Sequence, residues 1–208
     1  MAFSTEQEAF WAGVFGDAYT ERNRGAQLLA AKMALFARIL SSVQNVSSVV
    51  ELGANIGLNL LALKTLIPQA KLKAVEINEA AFAQLSKIEG IEAVHDSLFD
   101  YHPAEGADLA FTSGVLIHVA PDRLADAYGV LHDAGRRYVL VCEYYNPSPV
   151  EVTYRGHAGR LFKRDFAGEM LERYPNLRLV DYGFVYHRDP IFPLDDFTWF
   201  LMEKNRGA

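Results

Sequence analysis

A chain of 208 residues, half of them hydrophobic, can bury one sizeable core without disulfides, and a net charge of −6 argues against a broad phosphate-neutralising surface for nucleic acid. Its single cysteine, Cys142, lies in an apolar run and reads as core packing. No apolar stretch approaches the roughly 20 residues of a membrane helix, and the first residues, Met1 to Glu8, lack a basic leader region. The expectation is one cytoplasmic domain with no nucleic-acid or membrane partner, its oligomeric state left open.

In chain order, Phe10, Trp11, Val14 and Phe15 stand at helix-compatible spacing within 5–16, and Leu28, Leu29, Ala31, Leu35, Phe36 and Ile39 give 26–40 an apolar stripe. Between them lies a polar, aromatic loop with Tyr19, Arg22, Asn23 and Arg24. Residues 1–45 therefore read as an N-terminal helical extension of a core that spans 46–143.

The core opens with Val49, Val50, Glu51 and Leu52, a strand that runs into the turn Gly53, Ala54, Asn55, Ile56, Gly57 and then an amphipathic helix, Leu58 to Ile67. Glycine reaches backbone conformations closed to other residues and lets a ligand approach closely; asparagine is among the few others that tolerate positive φ. A second strand, Lys71 to Val75, ends in Glu76, 25 residues after Glu51, with Ile77 next. An acid at a strand tip beside a glycine turn is the arrangement that binds ribose hydroxyls. The G-x-N-x-G spacing is not the G-x-G-x-x-G of a dinucleotide fold, and without Gly-Lys-Ser/Thr it is not a P-loop.

Glu51, Gly53, Asn55 and Gly57 match the E/D-x-G-x-G-x-G first motif of the class I S-adenosylmethionine-dependent methyltransferases, with asparagine at the middle glycine, and the chain resembles that family. The resemblance implies an α/β, Rossmann-like fold: a seven-stranded, mostly parallel sheet of order 3-2-1-4-5-7-6, helices on both faces, and S-adenosyl-L-methionine as cofactor. A third strand, Ile91 to His95, would end at Asp96, Ser97 and Leu98, where such enzymes meet adenine. A fourth, Asp108 to Thr112, would end at Ser113, Gly114 and Val115, where they meet the methionine portion and the acceptor. The resemblance also implies that the N-terminal helices over 1–45 cap the cofactor, with Tyr19 and Arg24 in the cofactor set and Arg22 and Asn23 in the acceptor set. His118, just beyond strand four, is either the general base or a structural hydrogen-bonding group.

Strand five, Arg136 to Cys142, is followed by an insertion over 144–165 in which Tyr144, Tyr145, Asn146, Tyr154, Arg155 and Arg160 crowd aromatic faces, polar groups and cations together. Such a surface can stack a ring and pair a carboxylate or phosphate, so it is the expected acceptor pocket. A helix over 163–173 and strands over 177–186 and 197–203 complete 166–208. The stretch Phe10 to Asn23, the Glu51 turn, Glu143 to Pro147 and Tyr154 to Gly156 are similar to the pseudaminic acid biosynthesis-associated methylases. That resemblance implies a small, anionic acceptor, a nonulosonic or related amino sugar, free or nucleotide-activated. Strand four lacks a following Asn/Asp-Pro-Pro-Tyr/Phe, which favours an oxygen or an aliphatic amine as the methylated atom. No metal is expected: His95, Asp96, Asp100 and His102 fall in the adenine region. A non-catalytic cofactor-binding protein, or a nicotinamide enzyme on a doubly wound sheet, remains an alternative.

Overall fold

In the computed structural model, which describes residues 3–20 and 25–205, each apolar run closed by a turn becomes a strand. These are β1 (Ser48–Leu52), β2 (Lys71–Glu76), β3 (Ile91–His95), β4 (Ala107–Ser113), β5 (Gly135–Glu143), β6 (Val150–Glu151), β7 (Phe162–Lys163), β8 (Leu177–Phe184) and β9 (Thr198–Lys204). The main sheet has the order β3-β2-β1-β4-β5-β9-β8, and β6 and β7 pair separately as a two-residue ladder. Counting main-sheet strands alone, the order is the expected 3-2-1-4-5-7-6. β1 to β5 are parallel, and β9 runs antiparallel to both β5 and β8.

Strands covered on both faces need side chains that are apolar in both directions, which is why β1, β4 and β5 read as near-continuous hydrophobic runs. On one face α3 (Ala26–Leu40), α4 (Leu58–Leu66) and α5 (Glu79–Leu85) bring Phe36, Leu63 and Leu85 against Val49, Leu109, Leu140 and Trp199. On the other, α6 (Leu124–Ala134) and α7 (Phe166–Arg173) bring Tyr128, Leu131 and Met170 against Val50, Ala110, Val139 and Met202. Cys142 is fully buried in the first of these layers. The chain leaves β1 outward to β2 and β3, then returns to the other side of β1 as β4. The parallel strands therefore open a crevice at their carboxyl ends where the winding reverses.

Two helix boundaries differ from expectation. The first helix is broken at Gly13, which is extended (φ −98°, ψ −159°), into α1 (Glu6–Ala12) and α2 (Val14–Thr20). The helix expected from 163 starts at Phe166, because Lys163 pairs in the β6–β7 ladder and the Asp165 side chain caps the helix by accepting from the Gly168 N–H. α1 starts with a capping box between Thr5 and Glu8 and buries no residue fully. Instead it is fastened by polar contacts, Gln7 Nε2 to the Gly159 carbonyl at 3.0 Å and Asn78 Nδ2 to the Trp11 carbonyl at 3.2 Å. Among the described residues no helix is long and apolar enough to cross a membrane.

Candidate functional site

The turn after β1 takes positive φ at Gly53 (77°), Asn55 (49°) and Gly57 (81°). Glu76, at the tip of β2, fastens it: its carboxylate accepts the Asn55 N–H at 2.6 Å and the Asn78 N–H at 2.8 Å. The two glycines do different work from that expected. A Cβ on Gly53 would lie 2.5 Å from Val115 Cγ2, and one on Gly57 would lie 2.6 Å from Leu85 Cδ1. Gly53 thus makes room for the loop after β4. Gly57 packs behind the turn against α5 and is not among the residues that line the cavity.

Over the tips of β1, β2 and β4, beneath α1 and α2, lies a cavity of about 430 Å³, within the range of small-molecule sites. Its wall includes Tyr19, Glu51, Gly53, Asn55, Glu76, Ile77, Asp96, Ser97, Leu98, Ser113, Gly114, Val115 and His118, so four separate strand ends converge where the sequence places them. Arg22, Asn23 and Arg24 lie outside the described residues. The wall also holds groups the sequence reading missed, among them Glu8, Lys32, Asn59, His187, Asp195 and Phe197. Glu8 reaches Ser97 Oγ at 2.5 Å and so ties α1 to the end of β3. The Lys32 signal was available, since a lone lysine inside the apolar stripe of α3 needs a partner. Nothing local marks Asp195.

Lys32, Asn59 and Glu51 form a buried chain. Lys32 Nζ donates to Asn59 Oδ1 at 2.7 Å, and Asn59 Nδ2 donates to Glu51 Oε1 at 2.5 Å. Burial drives the Glu51 carboxyl above its ordinary range, and burial holds the Lys32 ammonium below its own, each against the other's attraction. Glu51 Oε2 is buried with no hydrogen-bond partner among the described residues. An oxygen buried without a partner is costly, and burial lessens that cost by favouring the protonated Glu51 carboxyl, pushed up to about 8.

The loop after β4 is held by a residue from the next strand. Glu143, at the end of β5, accepts the N–H groups of Val115 at 3.1 Å, Leu116 at 3.0 Å and Ile117 at 3.4 Å. Burial outweighs these bonds and pushes its carboxyl up to about 7. His118, at the end of that loop, bonds through Nδ1 to the Arg160 carbonyl at 2.6 Å, and its ring lies 4.3 Å from that of Trp11. A carbonyl can only accept, so Nδ1 carries the hydrogen and Nε2 keeps the lone pair. Burial pushes the imidazole down to about 4, which keeps it neutral at pH 7. The bond that fixes the ring is thus also the bond that leaves Nε2 able to take a proton.

The insertion after β5, the expected acceptor pocket, stands outside this cavity. None of Tyr144, Tyr145, Asn146, Tyr154, Arg155 and Arg160 lines the cavity. Tyr144 stands behind the wall, its ring stacked on Phe197 at 5.0 Å. Tyr145 faces Phe200 at 5.9 Å, and Asn146 Nδ2 donates to the Ser148 carbonyl at 2.5 Å. Tyr154 packs on His118 and Phe15. Arg155 sits at φ 50° with its guanidinium 5.8 Å from the Tyr154 ring, while Arg160 pairs with Glu6 at 3.3 Å and lies 5.1 Å over Phe10. The physical reason is that the β6–β7 ladder and the Tyr154–His157 bridge fold the segment back on itself. Its aromatic face then packs under α1 and α2, and of its cations Arg160 is held by that cap while Arg155, Lys163 and Arg164 meet Tyr154, Tyr144 and Glu169. Among the described residues no group of three or more His, Cys, Asp or Glu could hold a metal ion.

No protein-family model matches the sequence, and neither does any curated protein. Solved structures match over almost the whole chain. One is a 1,6-didemethyltoxoflavin N1-methyltransferase from Burkholderia thailandensis, with its substrate and S-adenosylhomocysteine bound: TM-score 0.69, 14% identity, 96% of this chain and 87% of that one. A magnesium protoporphyrin IX methyltransferase from Synechocystis PCC 6803, with S-adenosylmethionine bound, superposes with TM-score 0.68 at 11% identity, over 99% of this chain and 100% of that one. An S-adenosylmethionine-dependent methyltransferase from Leishmania major gives TM-score 0.70 at 14% identity, over 96% and 81%. Together with the strand order, these place the chain in the class I S-adenosylmethionine-dependent methyltransferase fold.

Proposed function

We propose that this protein transfers a methyl group from S-adenosylmethionine to a small acceptor. The observation that carries the reading is the buried Glu51 carboxylate, with Oε2 unpartnered in the cavity wall and Lys32 in the same wall. Burial holds the Glu51 carboxyl up at about 8, and an incoming ammonium would let it release its proton and pair, so that Glu51 and Lys32 together would complement the zwitterion of an amino acid, and so the methionine end of the cofactor. Glu76 and Ile77 would take the ribose: two N–H donors leave the Glu76 carboxylate lone pairs for a hydroxyl. Asp96, Ser97 and Leu98 would flank adenine, and Tyr19, Asn55, Ser113, Gly114 and Val115 the sulfur and methionine chain, with Arg24 as the further cation.

When bound, S-adenosylmethionine supplies a methyl on a sulfonium, whose C–S electron pair stays with sulfur as the acceptor's lone pair forms the new bond. What remains for the chain is position, dryness and one proton. Glu143 holds the loop that aligns the acceptor, α1 and α2 exclude water, and His118 Nε2 takes the proton an acceptor hydroxyl or amine must lose. The finer reading, a nonulosonic-type amino sugar, free or nucleotide-activated, rests on the sequence resemblance. Arg155 and Arg160 lend no support to an anionic contact inside the cavity.

The test is calorimetric. S-adenosylhomocysteine should bind and raise the melting temperature, whereas NAD and NADP should do neither, and Glu51→Gln should weaken the binding. A protein that ignores S-adenosylhomocysteine refutes the reading.

A further inference from the structure

We propose that two copies of this protein associate through the sheet face at the β8 edge, an aromatic strip left open to solvent among the described residues. The strip is built by a bulge. β8 pairs with β9 as Leu179↔Met202 and then resumes at Asp181↔Leu201, so one extra residue stands on β8 between them. Strict alternation would turn Tyr182 and Phe184 to the face opposite Leu177 and Leu179; the extra residue brings all four to one side. Their partners identify that side. Leu179 lies opposite Met202 and Tyr182 opposite Phe200, in the layer under α6 and α7, whereas Gly183 lies over Trp199 of the other layer. Leu177 and Met202 are buried there, but Leu179 is 41% exposed, Tyr182 62% and Phe184 53%. Further rings extend the strip: Tyr145 and Tyr182 flank Phe200 at 5.9 and 6.2 Å, and Tyr186 lies 6.1 Å from Phe184.

A bulge that gathers apolar side chains on one face, and then leaves that face wet, gives a monomer no hydrophobic stabilisation, and a contiguous patch of this kind marks an association surface. The area points to a stable partner. At roughly 200 Å² per aromatic side chain, the exposed parts of Tyr145, Tyr182, Phe184 and Tyr186 together with Leu179 amount to about 450 Å², more than half of the roughly 800 Å² that each side of a stable interface buries. The chemistry points to a second copy. A two-fold axis presents the same patch from both sides, and rings without charge meet their own copies edge to face without repulsion. Homodimer interfaces are apolar in the same way, and their cores are rich in Tyr and Phe. The contact runs through these side chains and not through the β8 backbone. Asp181 accepts the Tyr182 N–H at 2.8 Å and Ser42 Oγ at 2.7 Å, and a carboxylate at a strand edge opposes the addition of another strand.

Sedimentation velocity tests this without any ligand and independently of the methyltransferase reading. Interfaces of standard size bind at micromolar or tighter, so wild type should sediment as a dimer at about 100 µM. The dimer should persist in high salt, because its contacts carry no charge. Tyr182→Glu and, separately, Phe184→Glu place a charge inside the strip and should weaken the dimer by about 30-fold or more, the scale of an interface hot spot. Val14→Glu, a charge placed on the exposed surface of α2, should leave it intact. A wild type that stays monomeric at that concentration overturns the proposal and leaves the strip to a different protein. A dimer that survives both strip substitutions also overturns it, since the second copy would then sit elsewhere. Should a glutamate variant fail to fold, deuterium uptake by the wild type decides. Peptides over 179–186 should lose protection on dilution, and uptake independent of concentration overturns the proposal.

Discussion

The turn between β1 and α4 and the segment between β5 and α7 both combine glycine, asparagine and charged residues, yet one forms the wall of the cavity and the other its outer support. In the turn, direction is set by the backbone. Three left-handed residues in five leave the chain a single way from strand to helix, and Glu76 closes it from the neighbouring strand. In the later segment, direction is set by what each side chain packs on. Tyr154 goes under Trp11 and His118, Arg160 goes to Glu6 and Phe10, and it is the carbonyl of Arg160, not its guanidinium, that bonds the wall residue His118. Backbone-determined geometry survives translation from sequence; side-chain direction in a loop depends on partners far away in the chain.

The largest effect should come from breaking the turn. Gly57→Ala places a methyl 2.6 Å from Leu85 Cδ1 at φ 81°. Overpacking of this kind costs about 1–3 kcal/mol, with roughly 1 kcal/mol more for the left-handed backbone. A urea titration should show a matching loss of stability, and S-adenosylhomocysteine affinity should fall because the N-terminus of α4 moves. If stability holds, the turn is less constrained than its angles imply.

Next in size is the buried chain. Glu51→Gln keeps the shape and the Asn59 contact but removes the carboxyl that would ionise against the cofactor's ammonium, and affinity for S-adenosylhomocysteine should drop by about 1.5–3 kcal/mol, the worth of a hydrogen bond to a charged group. Glu76→Ala should lose a similar amount. That variant also releases the Asn55 and Asn78 N–H groups, so its stability should fall as well. A Glu51→Gln protein with wild-type affinity would dismiss the zwitterion argument.

His118 gives a pH signature with a definite sign. Its imidazole titrates near 6.5 when unfolded and near 4 when folded, so between these values the unfolded chain holds more protons. Its contribution to stability is intact above pH 6.5 and is lost as pH falls toward 4, by at most about 3 kcal/mol. Glu143 runs the other way: raised from 4.5 to about 7 in the fold, it makes stability fall as pH rises through that window. The two partly cancel in wild type. The difference between wild type and His118→Gln, measured by urea titration at pH 4.5 and 7, isolates the histidine. A difference independent of pH would mean that the ring is solvated.

These same groups show how much was legible beforehand. Strand order, the glycine turn and the strand-end residues from Glu51 to His118 follow from hydrophobic runs, turn chemistry and a family pattern, each local in the chain. Lys32, Glu143 and Asp195 did not emerge. A lysine buried against Asn59 and a strand-end acid capping the preceding loop owe their roles to contacts 27 residues apart, and Asp195 reaches the cavity wall on a loop after β8. Arg155 and Arg160 are the reverse case: the chemistry was visible, but the direction was not.

The smallest expected effect is therefore the most useful for the comparison. Arg155→Ala removes an exposed guanidinium whose one described neighbour is the Tyr154 ring at 5.8 Å, so melting temperature and S-adenosylhomocysteine affinity should stay at wild-type values. Arg160→Ala removes the Glu6 pair and the contact on Phe10 but keeps the carbonyl that holds His118. A partly exposed pair contributes little, so this variant should loosen α1, seen as faster amide exchange over 6–12, with almost no change in global stability. Once an acceptor is in hand, both variants should keep its KM. If either raises KM several-fold while cofactor affinity holds, the segment after β5 reaches the acceptor after all, in a conformation where its cations have left the cap, and the contrast between the two regions collapses.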